Sequence, residues 1–234
     1  MLKIETLNQY YGESHTLWDL DLDVPTGQCT CVMGRNGVGK TTLMQCVMGM
    51  ELPESGSLLY DGKVELSKRR VEDRAGLGIG YVPQGRQIFP LLTVEENLRT
   101  GLVNSNRLER RNQIPNRVFE LFPVLKEMRN RRGGDLSGGQ QQQLAIGRAL
   151  VIQPKLLILD EPGEGIQPNI VAQIGEVIRR LIREDGLTVL LVEQKLPFAR
   201  KYADRFMIMD RGRQVAQGEI GELSDELIKK HLTV

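Results

Sequence analysis

Three short stretches hold the residues whose types and spacing could do chemistry. In GRNGVGKTT, residues 34–42, Gly34, Gly39, Lys40 and Thr41 fall at the positions of a phosphate loop, with Arg35, Asn36, Gly37 and Val38 between them and Thr42 after them. Glycines let the backbone turn its N–H groups onto phosphates, Lys40 can reach the β- and γ-phosphates, and the Thr41 hydroxyl can hold Mg²⁺. By average residue usage such a pattern arises in a chain this long on the order of once in a hundred. The implied ligand is ATP or GTP. In LLILDEP, residues 156–162, two carboxylates stand where a buried strand ends. Asp160 can bind the Mg²⁺, directly or through water, and Glu161 can polarise a water aimed at the γ-phosphate. Taken alone, the same residues would be a strand running into a polar turn.

The third stretch is LSGGQQQQLAIGRAL, residues 136–150. Ser137 with Gln140 forms a capping box that would start a helix. Gly138 and Gly139 are left over, each costing a helix about 1 kcal/mol relative to Ala. They would clear a bare helix start suited to an anion, a second phosphate-binding end. Because the phosphate loop already cradles a nucleotide, this end most simply serves one held by another subunit.

Elements must position these residues. Up to about residue 85 the chain alternates short β-rich runs with turns: LKIETL, LWDLDLDVPTG, CTCVM, SGSLLYDG and GIGYVPQ. LDLDV alternates as a half-exposed strand, whereas CTCVM runs straight into the phosphate loop. From about 93 to 152 the β signal gives way to helical spacing in TVEENLRTGL, NRVFELFPVLKEM and GGQQQQLAIGRALVIQ, broken near 115, 123 and 131–134. PKLLILD, TVLLVEQ and RFMIMDRGRQVAQG read as strands again, 169–184 as a helix, and Ser224 caps a last helix. A helical insertion of about 87–153 is thus expected within a core lobe of about 1–86 and 154–234, one domain over 1–234.

Composition narrows the classes. With 234 residues and 40% hydrophobic content the chain can bury a substantial core. Its 31 basic and 30 acidic residues give no global field for nucleic acid or an anionic membrane. Three cysteines without metal-ligand spacing fit a reducing compartment, and Cys29 and Cys31 read as small buried side chains on one strand face. The start MLKIETLNQYYGE lacks a leader pattern, and no apolar run approaches the roughly 18 residues that span a bilayer, so membrane association is expected to go through a partner.

Over essentially its full length the chain resembles the ATPase subunit of ABC transporters. The motif order matches: GRNGVGKTT, Gln84 in YVPQ, LSGGQ, LLILDEP, then a strand ending in VEQ. The resemblance implies the α/β ABC ATPase fold: a P-loop NTPase core of mixed sheet flanked by helices, with an antiparallel β part and an inserted α-helical subdomain. It implies ATP and Mg²⁺ as cofactors, and a head-to-tail dimer in which Leu136, Ser137, Gly138, Gly139 and Gln140 close on the ATP of the other subunit. Tyr11 resembles the aromatic that stacks on adenine, although Tyr10 and Tyr11 could equally be core packing. Gln84 resembles the residue linking Mg²⁺ and the attacking water to the helical insertion, and Gly165–Pro168 the segment touching the opposite subunit. Expected partners are a second ATPase subunit, permease subunits that span the membrane and, indirectly, a substrate-binding protein; nucleic acid is not among them. The expected location is the cytoplasmic face of the inner or plasma membrane, as a peripheral subunit.

Gln194 departs from the family pattern, which has a histidine touching the γ-phosphate and catalytic water. The histidines, His15 and His231, lie far away in sequence. A glutamine can donate to a phosphate oxygen, a contact worth about 1.5–3 kcal/mol, but carries no proton at neutral pH. It could also simply end a strand. Gln194 with DEPGEGIQP is similar to ATPase subunits of hydrophobic amino acid and urea importers, EGIQP resembling the urea type more than the branched-chain amino acid type. In that branch the ATPase works beside a different ATPase subunit, which favours a heterodimer over a homodimer. Gly163 is a second departure, where the family has Ser or Thr. Ile88, Phe89, Leu91 and Leu92 form an apolar cluster that fits either a docking surface or a core. The rival readings are an ABC-type ATPase not tied to transport, which lacks its usual coiled-coil insertion or tandem unit here, and a P-loop kinase, which leaves LSGGQ unexplained.

Overall fold

The computed structural model describes residues 1–103 and 113–232; residues 104–112 of the expected helical insertion and 233–234 lie outside the described residues. An antiparallel sheet joins β1 (Leu2–Tyr11), β2 (Ser14–Val24), β4 (Ser55–Tyr60) and β5 (Val64–Glu65) in the order β2-β1-β4-β5. A six-stranded sheet joins β3 (Cys29–Met33), β6 (Ile79–Val82), β7 (Leu156–Asp160), β8 (Thr188–Val192), β9 (Arg205–Asp210) and β10 (Arg213–Glu219) in the order β10-β9-β3-β8-β7-β6. Only the β9–β10 pair is antiparallel in this sheet.

The strands β3, β7 and β8 are buried along their whole length, as unbroken aliphatic runs require between two layers. Their side chains alternate between two cores. Cys29, Cys31, Leu157, Leu159, Val189 and Leu191 face one, and Val32, Leu156, Ile158, Leu190 and Val192 the other. The first core is completed by helices α3 (Val94–Thr100), α4 (Asn116–Leu121), α5 (Pro123–Glu127), α6 (Gly138–Leu150) and α7 (Pro168–Asp185); the second by α1 (Lys40–Met48) and the antiparallel sheet. Cys29 and Cys31 do share one face, and all three cysteines are free and buried.

The expected helices from 93 onward are present, and Pro123 does split α4 from α5. Two short helices carry too few turns for a periodic signal: α2 (Val71–Gly76), inside the region read as β-rich runs alternating with turns, and α8 (Leu196–Tyr202). The final helix α9 (Asp225–His231) starts at Ser224, whose hydroxyl accepts from Leu227 N–H. No helix among the described residues is long and apolar enough to cross a membrane.

Candidate functional site

The carboxyl ends of β3, β8, β7 and β6 lie side by side, the usual ligand edge of a parallel sheet. From β3 comes the phosphate loop. Gly34 takes φ 151° with a Cβ position only 2.5 Å from the Met209 carbonyl oxygen, so no other residue fits there. Gly39 caps α1 in the left-handed region without a side-chain bond, which leaves the N–H groups of the first turn open. Lys40 is 5% exposed and donates from Nζ to the carbonyls of Gly34 and Arg35, both at 2.8 Å. Burial pulls its ammonium below the usual lysine range, against the attraction of Glu161, Asp160 and Glu193. Val38 and Thr42 are buried; Arg35, Asn36, Gly37 and Thr41 are exposed.

From β7 come the two acids. Asp160 is 2% exposed, and one of its oxygens, Oδ2, has no hydrogen-bond partner. Burial first, then the neighbouring Glu161, pushes its carboxyl up to about 6, while Lys40 and a hydrogen bond with Thr41 hold it down. Glu161 adopts a left-handed φ of 48°, its N–H donating to the Val192 carbonyl at 3.0 Å, so the chain turns sharply and the two carboxylates diverge. Glu161 Oε1 lies 4.0 Å from Lys40 Nζ.

Gln194 answers for both sides of the cleft. Its Nε2 donates to Asn36 Oδ1 of the phosphate loop at 2.7 Å and also to Glu161 Oε1. The loop carrying it is held by Glu193, whose Oε1 accepts the N–H groups of Gln194 and Lys195, both at 2.9 Å. Gln84, beyond β6, donates from Nε2 to Glu164 Oε2 at 2.9 Å and to Glu161 Oε2 at 3.4 Å. Lys40, Thr41, Gln84, Glu161 and Gln194 therefore line one cleft of about 650 Å³.

Other expected residues stand elsewhere. Tyr11 does not line that cleft; Thr16 does. Its ring is 44% exposed and its hydroxyl donates to Gln45 of α1 at 3.0 Å, while Tyr10 stacks on His15 with ring centres 4.0 Å apart. Neither tyrosine is core packing. The signature residues also lie apart: Ser137, Gly138, Gly139 and Gln140 line a separate cleft of about 780 Å³ with Ile166 and Ile170, and Leu136 is buried.

The start of α6 is less bare than its glycines suggest. The capping box of Ser137 and Gln140 is formed in both directions. A Cβ on Gly139 would stand 2.9 Å from Ile170 of α7, and one on Gly138 would meet the Arg86 guanidinium at 3.2 Å. Both glycines thus have packing reasons that spacing alone did not reveal. Gly163 is closely packed as well, a Cβ there standing 3.3 Å from Val171 and 3.4 Å from Glu193 Oε2, and the turn forms, with Glu164 N–H donating to the Glu161 carbonyl at 3.1 Å.

Sequence reasoning passed over Glu164, Arg86 and Glu193. The third acid of DEPGEG and the cation of PQGR, two residues past Gln84, were the available signals.

A family model described as ABC transporter matches residues 17–164. The chain belongs to the ABC transporter family. This ABC chain is 43% identical over 217 residues to the high-affinity branched-chain amino acid transport ATP-binding protein BraG of Pseudomonas aeruginosa, covering 92% of itself and 91% of that protein. It is 36% identical to the probable branched-chain amino acid transport ATP-binding protein LivF of Archaeoglobus fulgidus, covering 95% and 94%. Its fold matches a dimeric ATP-binding cassette in a post-hydrolysis state with ADP and Pi at TM-score 0.83 and 25% identity, over 94% of this chain and 99% of that one. The ABC chain has the ABC ATPase fold and is an ATPase coupled to transport. The relatives' names favour the branched-chain amino acid alternative over the urea type that EGIQP suggested.

Proposed function

We propose that this ABC ATPase powers import of branched-chain amino acids. The observation that carries the reading is the 43% identity to BraG along nearly the whole of both chains. Substrate choice belongs to other subunits, and a urea importer stays the second reading on EGIQP alone.

The residues that line the cleft have arrangements that suit their proposed roles. The phosphate loop, Gly34 to Thr42, takes the phosphates, with Lys40 already aimed into it. Glu161 orients the attacking water, and Gln194 holds Glu161 against Asn36, a positioning task that needs no proton. Asp160, Thr41 and the Gln84 carbonyl oxygen would hold Mg²⁺. Among the described residues no cage of three or more acids, histidines or cysteines exists, and one orphaned carboxylate oxygen beside a hydroxyl suits an ion bound mainly by phosphates and water. When bound, Mg²⁺ neutralises charge on the β- and γ-phosphates.

Tyr11 stays the adenine platform in our reading on the resemblance and its exposed ring alone, since it stands outside the cleft with its hydroxyl on Gln45. Leu136 to Gln140 meet the ATP of a second ATPase subunit, a different one in our reading, as the importer branch that the chain resembles suggests. In our reading the insertion of about 87–153, through its described helices α3 to α6, passes motion to permease subunits at the cytoplasmic face. Phe89, which lines a groove of about 400 Å³ with Arg148 and Ile152, and Leu91 are 47% and 78% exposed, which supports the docking reading of this cluster, while Ile88 packs inward. A substrate-binding protein acts on the far side.

The test is ATP hydrolysis by the purified chain across a concentration series, with Glu161→Gln as blank. Turnover above the blank only when a second ATPase subunit is added supports the heterodimer. A rate rising as the square of the chain's own concentration overturns it, and no ATP binding overturns the nucleotide reading.

A further inference from the structure

The amide of Gln84 sits between two carboxylates. A carboxylate only accepts, and a glutamine amide has donors at one end and an acceptor at the other. With Glu164 at 2.9 Å and Glu161 at 3.4 Å, the NH₂ end must face the acids. The carbonyl oxygen, the one atom of the side chain that can bind a cation, is left as the free end. The shorter contact is to Glu164, so Glu164 sets this orientation more firmly than Glu161 does.

Glu164 also lies at a junction. Its N–H closes the turn onto the Glu161 carbonyl, and its own carbonyl accepts from Arg86 Nη2 at 3.4 Å. Arg86 reaches Gln141 Oε1 of α6 at 3.3 Å with its other arm, and it lies against Gly138 at the start of that helix. Arg86 and Gln87 both have left-handed φ, 67° and 47°, strain that the surrounding contacts sustain.

We propose that Glu164 is a positioning residue: its carboxylate holds the Gln84 amide with the carbonyl oxygen turned free for the Mg²⁺ of bound ATP, and its backbone ties that orientation through Arg86 to the start of α6. This rests on the nucleotide reading above. Replacing the carboxylate by an amide, as in Glu164→Gln, weakens the preference, because the new amide could pair with either end of Gln84 and only the longer contact to Glu161 would still favour one.

The test is equilibrium binding of an ATP analogue with a fluorescent N-methylanthraniloyl group on the ribose, to the full chain, in EDTA and in Mg²⁺. The ratio of the two dissociation constants reads the metal's share of affinity. Glu164→Gln is expected to lower that ratio about fivefold, as for neighbours coupled by one hydrogen bond, while leaving the EDTA value unchanged. In a Gln84→Ala background the same substitution should do nothing further. Glu164 is exposed, so the variant should fold. An unchanged ratio, or an equal fall in both backgrounds, overturns the proposal while leaving the nucleotide reading intact. Absence of binding by the wild-type chain in either condition overturns the nucleotide reading itself.

Discussion

The side-chain amide of Gln194 is bonded to Glu161 across the ends of the paired strands β8 and β7, and the same nitrogen reaches Asn36 in the phosphate loop. The two acceptors on one nitrogen make Gln194 a strut between the loop that takes phosphates and the acid that orients water. Gln194→Ala should therefore leave ATP binding within about threefold and slow single-turnover hydrolysis by roughly 100-fold, the size of loss that misplacing a group at the reacting centre can bring. Gln194→His should keep the strut and match or exceed wild-type turnover. Equal loss of binding and turnover in Gln194→Ala would show that the strut only holds the fold.

Asp160 is buried with an orphaned oxygen, an arrangement that weakens the empty protein. Asp160→Asn keeps the shape and removes the charge. The nucleotide-free variant should melt about 2–8 °C above wild type, from roughly 1–2 kcal/mol of relieved burial. The Mg²⁺-dependent part of ATP affinity should disappear in the same variant. A lower melting temperature would mean that Lys40 and Thr41 already compensate the charge.

Gly138 and Gly139 should behave differently although they are adjacent in one motif. A methyl on Gly139 meets the branched carbons of Ile170 at 2.9–3.3 Å, whereas one on Gly138 meets the movable end of Arg86. Gly139→Ala should lose about 1–3 kcal/mol in urea unfolding, with much of that loss absent in an Ile170→Ala background, which lacks both of the clashing γ-carbons. Gly138→Ala should fold with near wild-type stability. Equal losses would place the strain in the helix backbone rather than at Ile170.

Much of the site was legible because its chemistry is local. The phosphate loop, Asp160 and Glu161 each combine a strand end with the residue types that phosphates and cations need, within a few positions of one another. The packing partners of Gly138 and Gly139 were not legible, since Arg86 and Ile170 approach them from distant parts of the chain. Helix α2 was missed because six residues give less than two turns, and because its key residue contradicts composition rules. Arg74 is fully buried, with its guanidinium donating to the carbonyls of Cys46 and Val47 at the end of α1 and of Leu66 and Arg69 before α2.

That burial gives a further prediction. Arg74→Met would leave the Val47 and Arg69 carbonyls without a donor, those of Cys46 and Leu66 keeping the N–H groups of Gly49 and Arg69, and should destabilise the chain by about 3 kcal/mol in urea unfolding. Arg74→Lys should recover only part, because an ammonium cannot reach carbonyls on both segments at once. A loss under about 1 kcal/mol in Arg74→Met would mean that water reaches the end of α1.

The most direct test of the central claim uses the chain assembled with its permease subunits and a second ATPase subunit in lipid vesicles, with the substrate-binding protein added outside. ATP hydrolysis is measured with leucine, with urea and with neither. Stimulation by leucine, absent with urea and abolished by Glu161→Gln, is the predicted result. Stimulation by urea alone, or turnover that ignores both and survives Glu161→Gln, would contradict the account.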